Sequence, residues 1–442
     1  VSRFSVAISF WLTAILFLCG WMIWVSIAPG LDGSVSVLPS ILGALVLLLP
    51  AVVVYRLAPR LSSPRITMGG IVVSALVVRV LLLSVDPFLS DDLWRYLWDG
   101  EVQRSGINPY LAPPADPLLD PVASDPYWIE VRSSVNHPSI RTIYPPMSQL
   151  SFRFAALGET GWRIFTTLLD LSVGAVLALA LRRRGRDPRE AVLWWWHPLP
   201  ILECAVGAHV EVLAVLLTVI AFYWLDARRG SRALVMLGAA IATKILPLGW
   251  IPLFLMKAGG RRGWLLLLVG ILSVLPYLES NLSQMTEGLR EFSAGWYSGD
   301  ILFRPVGFLI GIDPENRHDR ASQYLRLAFL AAWLAVSWYC RNMEPWRGFL
   351  VVSLAFVVLT PTLHPWYLLW LLAPAVMERS GASILLCTTV LFQYRVLDGW
   401  WAEKSWEMPA GTRWLVIVVP LLWFIWNWYF RRFSSGSVLE SR

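Results

Sequence analysis

The sequence predicts an all-α polytopic membrane protein, and three observations predict it. Hydrophobic residues make up 57% of the 442-residue chain and charged ones 15%, against about 45–50% and 25% in soluble globular proteins. The mean hydropathy is +0.58, an excess of apolar side chains too large for one core in water. Apolar runs recur from end to end: Val6 to Trp24, Ile71 to Leu83, Leu213 to Leu225, Trp264 to Leu275 and Trp414 to Trp428. Several reach the roughly 20 residues that cross about 30 Å of hydrocarbon as a helix. Between the runs, Lys and Arg gather in short segments, which mark the cytoplasmic side of such proteins.

Other bulk properties follow from this class. The 26 Trp and 13 Tyr suit many helix ends at the bilayer interface. The net charge of +7 lies in short loops, with no basic soluble domain, so no nucleic acid is expected as partner. The four cysteines, Cys19, Cys204, Cys340 and Cys387, lie in or beside apolar runs without CxxC or metal-ligand spacing, as small core residues do. Arg3 precedes the first apolar run and no small-residue cleavage site follows it, which reads as a retained helix.

The basic segments orient the helices. They are Arg56, Arg60 and Arg65; Arg182, Arg183, Arg184, Arg186 and Arg189; Arg228, Arg229 and Arg232; Lys257, Arg261 and Arg262; then Arg341, Arg347, Arg379, Arg431 and Arg432. With all of them inside, the chain makes about fourteen crossings and both termini are cytoplasmic. Two crossings, near Ala191–Leu202 and Ile245–Met256, are short and expected to be broken or tilted. The expected organisation is N-terminal transmembrane helices over 1–85, a long first extracytoplasmic loop with juxtamembrane helices over 86–161, and central helices over 162–279. A second extracytoplasmic loop follows over 280–322, then C-terminal helices and a short tail over 323–442. Loops longer than about 12–15 residues are usually functional.

The first loop opens Ser90-Asp-Asp-Leu-Trp-Arg-Tyr-Leu-Trp-Asp-Gly100. Ser90 can cap a helix whose first turn carries Asp91 and Asp92, where the helix dipole favours negative charge. That favours plain helix-start chemistry, or a general base just above the membrane; adjacent carboxylates also raise one another's pKa. Trp94, Leu97 and Trp98 share a face, which predicts a helix lying in the interface plane. Farther on, His137 in Asn-His-Pro can orient a substrate or merely be solvated, and Tyr144-Pro-Pro makes a rigid step into the next helix.

Polar residues within apolar surroundings need a reason, because a charge at a membrane helix centre costs about 2.5–3.5 kcal/mol. Lys244 lies in Ala-Thr-Lys-Ile-Leu-Pro; it can snorkel, form an ion pair, or hold a lipid-linked phosphate. Glu203, His209 and Glu211 flank the turn at Gly207, a spacing that allows a divalent metal or a sugar-binding cluster, though it is a weak metal signal. His364 lies at another outer turn and Asp170 within an apolar run. All of these except Asp170 are expected on one face.

Several stretches together resemble the GT-C superfamily of membrane glycosyltransferases, most closely bacterial mannosyltransferases that use a polyprenyl-phosphate sugar. They are Ser90 to Gly100 with Gly106-Ile-Asn-Pro-Tyr; Tyr144-Pro-Pro; Trp196-His-Pro-Leu with Glu203 and His209; Lys244 followed by Pro247; Trp296 before Leu302-Phe303; and His364-Pro-Trp-Tyr-Leu-Leu-Trp370. The resemblance implies a GT-C fold with no cofactor and no metal, in which the carboxylate opening the first loop is the catalytic base. That favours Asp92 as base, with Asp91 beside it. It implies donor-phosphate binding by Lys244 with Arg304 or Arg395. It implies substrate contacts from His137, Tyr144, Glu203, His209, Glu211, Trp296 and His364. His197 and Glu211 depart from the family pattern, where relatives carry Asn and Asp. Implied partners are the lipid bilayer, a polyprenyl-phosphate sugar donor and a glycan, lipid or protein acceptor. The implied location is a bacterial inner membrane with the site on its periplasmic or extracellular side. The competing class is a transporter or lipid flippase, with Arg79, Asp170 and Lys244 along its path; the related halves common in such proteins are not visible here.

Overall fold

The computed structural model describes residues 3–29, 36–61, 63–295, 298–313, 316 and 319–434. Among these the chain is helical, and its β pairing is limited to isolated bridges between Ser298, Gly299 and Thr362. Among the described residues four helices are long and apolar enough to cross a membrane: Ser5–Ile27, Leu38–Arg60, Pro64–Leu82 and Pro146–Arg183. A fifth candidate is the pair Gly260–Tyr277 and Leu282–Ser293, bent by 105° at its break. Gly230–Thr243, Leu246–Ala258 and Pro345–Leu359 are shorter apolar helices.

The expected count of about fourteen crossings therefore resolves, among the described residues, into a few full-length helices and many broken ones. The cause is local sequence. Around His197-Pro198 the chain passes through Val192–Trp195, Pro198–Ile201 and a π-turn at Leu202–Val206 before Glu211–Asp226 begins. Proline ends the first piece, and the His197 ring caps the next, its Nδ1 accepting from Leu199 N at 3.1 Å. Outer faces carry exposed apolar side chains, among them Leu267, Leu309, Leu327 and Trp414, as lipid contact requires.

The basic segments meet at one end. Arg184 pairs with Asp226 at 3.2 Å, with Glu378 at 3.8 Å and with Glu344. Arg379 meets Glu190 at 2.6 Å, Arg189 Nη1 donates to Leu61 O at 3.3 Å, and Lys257 Nζ to Asn342 O at 3.0 Å. Positions scattered over more than 300 residues thus share one face, as the charge pattern predicts.

At the other end the first loop forms a small domain of its own. Its core holds Leu93, Tyr96, Leu97, Trp98, Val131, Tyr144, Phe152 and Trp162. The apolar face expected to rest on the membrane surface is instead covered by protein. Leu97 and Trp98 of Asp92–Arg104 are buried in that core, because Pro126–Ser133 and Pro146–Phe152 supply partners for the apolar face. The approach is close at Gly100, where an added Cβ would lie 2.2 Å from Phe152 O, so only glycine fits there. The loop is tied to the bundle by Ser148 Oγ donating to Thr243 O at 2.7 Å and Trp162 Nε1 donating to Ala208 O at 2.8 Å.

Candidate active site

A cavity of about 950 Å³ opens where this small domain meets the bundle, and it is lined by Asp91, Asp92, His137, Tyr144, Lys244 and His364. Six positions spread from 91 to 364 therefore share one space. Its lining also includes the apolar side chains of Phe88, Leu397, Trp400, Trp401, Trp406 and Met408.

Asp91 and Asp92 stand at the start of Asp92–Arg104. Ser90 Oγ accepts from Asp92 N at 3.2 Å, but the N-cap position falls on Asp91 and not on Ser90 as expected. Asn136 donates its amide to Asp91 Oδ1 at 2.8 Å. Both carboxyls line the cavity, Asp91 open to it and Asp92 half-buried, and the surrounding protein disfavours their charged forms. Asp91 is pushed up to about 6, first by this burial and then by the neighbouring Asp92. Asp92 is raised as well by burial, opposed by the nearby His209 and Lys244. His137 lies at φ 47, a left-handed conformation that non-glycine residues adopt at some cost. Burial lowers its pKa.

Lys244 follows the last residue of Gly230–Thr243 and turns extended there, at φ −148 and ψ 151. Its ammonium lies 4.7 Å from the centre of the Tyr144 ring and forms an ion pair with Glu211, the first residue of Glu211–Asp226. The remaining oxygen, Glu211 Oε2, is buried without a hydrogen-bond partner. Tyr144 is fixed in turn by Tyr110, whose hydroxyl donates to Tyr144 O at 2.7 Å.

Glu203, His209 and Glu211 do not line the cavity; they form the layer beneath it. His209 Nδ1 is 3.1 Å from Glu203 Oε2, and Tyr394 OH is 2.8 Å from both Glu203 oxygens. The Trp366 ring lies between His209 and His364, with centroids at 4.0 and 4.4 Å. The layer connects to the cavity through Tyr394, Trp366 and Lys244, which line it. Among the described residues no group of His, Cys, Asp and Glu is arranged to hold a metal ion.

Two residues expected at the donor phosphate fall elsewhere. Arg395 points its Nη1 to Thr412 Oγ1 at 3.5 Å. Its neighbour Tyr394 lines the cavity instead, because successive residues of the tight Val390–Arg395 helix face different ways. Arg304 sits on Phe303–Leu309 and is also absent from the lining. Trp296 lies outside the described residues. Sequence reading missed Arg95 and Asn136, both in the lining. Arg95 carried a signal, since it is three residues beyond Asp92 on a helix and shares its face. Arg79 and Asp170, which a transport path would need, form a fully buried ion pair outside this cavity, also held by Trp194 and the Trp195 carbonyl.

Comparison with known proteins adds an independent line. Residues 142–288 match the family model of Glycosyltransferase family 87, and residues 320–397 match that of the MptB C-terminal domain. The chain is 21% identical over 403 residues to the alpha-(1->6)-mannopyranosyltransferase B of Corynebacterium glutamicum. That match covers 81% of this chain and 66% of the relative, so the chain spans just under two thirds of the relative's length. No solved structure matches. These findings support a GT-C family glycosyltransferase, as the motifs imply. The two matched segments contain Tyr144, Lys244, His209 and His364 but stop short of Asp91 and Asp92. The reading of the two carboxylates therefore stands on the cavity geometry and the motif around them.

Proposed function

We propose that the protein is an inverting mannosyltransferase that moves a sugar from a polyprenyl-phosphate donor to an acceptor hydroxyl at the extracytoplasmic membrane face. The observation that carries this reading is one cavity lined by a carboxylate, Asp92, a lysine, Lys244, and several Trp and aliphatic side chains. A lipid-linked phosphate needs both ends: a cation for the phosphate and apolar surface for the chain. Mannose is favoured by the relative's name, alpha-(1->6)-mannopyranosyltransferase B. The outer side is favoured because the basic segments gather at the opposite end of the bundle.

In this mechanism the acceptor oxygen attacks the anomeric carbon while Asp92 takes its proton. The bond from that carbon to the phosphate oxygen breaks, and its electrons leave with the polyprenyl phosphate. Lys244 lies where negative charge grows on the leaving group, so its stabilisation is greatest in the transition state. Attack opposite the leaving group inverts the anomeric carbon, and a β-linked donor gives an α-linked product. Burying both reactants in one cavity supplies part of the rate by holding them in line.

The direct test is transfer by the purified protein in proteoliposomes, given radiolabelled polyprenyl-phosphate mannose and a mannoside acceptor. We expect α-linked labelled product. Movement of the donor between leaflets without any product would replace this reading with that of a lipid transporter.

A pH dependence follows from the same carboxyls. Both hold protons to higher pH than an ordinary aspartate, Asp91 up to about 6. Acidification depletes the base form of Asp92, so transfer falls as pH drops, and the fall begins above the ordinary aspartate range. Stability runs the opposite way for Asp91: its folded pKa is raised, so the folded state binds the proton more tightly. Its contribution is fullest below the ordinary value of 3.8 and is lost as pH rises through about 6. A rate profile flat from neutral pH down to about 4 would remove these carboxyls from the proton transfer.

A further inference from the structure

The basic end of the bundle is not uniform. Arg184 and Arg379 are met by carboxylates, as is Arg189 by Asp187 at 2.6 Å. Arg228, Arg229, Arg232, Arg261 and Arg262 are different. All five are exposed, and among the described residues none of them forms an ion pair. The cause is in the sequence, which has no Asp or Glu from Ala227 to Leu278. Two of the five meet neutral groups instead: Arg262 Nη1 donates to Ala258 O at 3.0 Å, and the Arg232 guanidinium lies 4.8 Å from the centre of the Trp224 ring.

The fold gathers these cations. Arg228 takes a left-handed conformation at φ 55, which costs a non-glycine residue, and Gly259 turns the chain at φ 92. The two turns pack on each other at Gly230, where an added Cβ would lie 2.9 Å from Ala258 Cβ and 2.9 Å from Arg262 Nη1. Arg228-Arg229 and Arg261-Arg262 thus stand on two turns in contact. Like charges held this way repel, and an anion that meets several of them relieves the repulsion; a phosphate suits the paired N–H groups of guanidinium best. The neighbouring surface decides what carries the phosphate. Trp264, Leu267, Ile271 and Leu275 are 57, 71, 62 and 49% exposed, and their spacing of three and four residues puts them on one helix face. Val269 lies on the other face, against Gly238 of the adjacent helix. The outward face therefore starts two residues after Arg262 with a tryptophan, which favours the headgroup level of a bilayer, and continues with aliphatic side chains. A soluble anion would use the arginines alone. An anionic phospholipid uses both the arginines and the apolar face.

We infer that these two turns bind the phosphate of an anionic phospholipid in the leaflet at the basic end, with its acyl chains along the face from Trp264 to Leu275. The site is separate from the cavity, and its binding is read without any sugar transfer. The probe is phosphatidylglycerol, with phosphatidylcholine as the zwitterionic comparison, added to the purified full-length protein and followed by native mass spectrometry. The unmodified protein is expected to retain phosphatidylglycerol about tenfold more than phosphatidylcholine, in keeping with the attraction of clustered arginines for anionic lipid. Arg228→Gln with Arg229→Gln, and separately Arg261→Gln with Arg262→Gln, should each remove about tenfold of that retention. Arg60→Gln with Arg65→Gln takes two exposed arginines from a different turn of the same end and should leave it unchanged. An equal loss in all three variants would mean attraction to net charge alone and overturn the inference. Displacement of the lipid by its soluble headgroup, glycerophosphoglycerol, at comparable concentration would make this a soluble-anion site and overturn it as well. Photolabelling of the unmodified protein needs no variant to fold. Phosphatidylglycerol with a diazirine on its acyl chain is expected to mark the segment from Trp264 to Leu275 above other exposed apolar helices; labelling spread evenly over that segment and Ser5–Ile27 overturns the inference.

Discussion

Asp92→Asn is expected to cut sugar transfer sharply while the protein folds and still binds its donor. Asparagine keeps the size and shape of the side chain, and the Ser90 hydroxyl still accepts from the backbone N–H of residue 92, a bond now 3.2 Å long. What is lost is the basic carboxylate that, in the proposed mechanism, takes the acceptor's proton. A positioned base is worth about 10²- to 10⁴-fold, so the initial rate is expected to fall by that factor with donor affinity unchanged. Asp91→Asn is the necessary comparison. Asp91 accepts a hydrogen bond from Asn136 at 2.8 Å, and the motif around the two carboxylates gives it the supporting place beside Asp92. Its replacement is expected to cost far less. If Asp91→Asn were the dead variant and Asp92→Asn the active one, the two assignments would exchange.

Much of this site is legible in the sequence because membrane burial makes polar residues conspicuous. Lys244, His209, Glu211 and His364 stand out against apolar neighbours, and placing them on one face needs only the orientation given by the basic segments. Helix count and side-chain direction are less legible. Pro198, Pro247 and Pro365 interrupt runs that hydropathy reads as continuous, so a crossing becomes two or three short pieces. Arg395 and Tyr394 are adjacent, and only the local geometry of their helix decides that the tyrosine meets the cavity. Trp98 shows the same limit from the other side. Its amphipathic pattern fits a membrane surface as well as a protein core, and the Pro126–Ser133 helix that covers it is contributed from some thirty residues farther along.

Lys244→Met is expected to remove donor binding, and its interpretation depends on Glu211. In the structure the ammonium is neutralised by the Glu211 carboxylate and rests over the Tyr144 ring. Glu211 is 1% exposed. Deleting the lysine alone leaves a buried carboxylate without its cation, which typically costs 3–5 kcal/mol; the single variant is expected to melt earlier for that reason. Lys244→Met with Glu211→Gln removes both charges and should restore the melting temperature. Transfer should stay lost in both, because the phosphate then has no cation to meet. An interaction of about 4 kcal/mol at 4 Å in an effective dielectric of 20, before desolvation, sets an upper bound near 10³-fold on the rise in donor KM. Recovery of stability together with transfer in the double variant would mean that Lys244 only balances Glu211. Recovery of stability alone would mean that Glu211 keeps the site ready: it holds the ammonium in place until a phosphate arrives and then competes with it, so that Glu211→Gln by itself should retain transfer and bind donor at least as tightly as the unmodified protein.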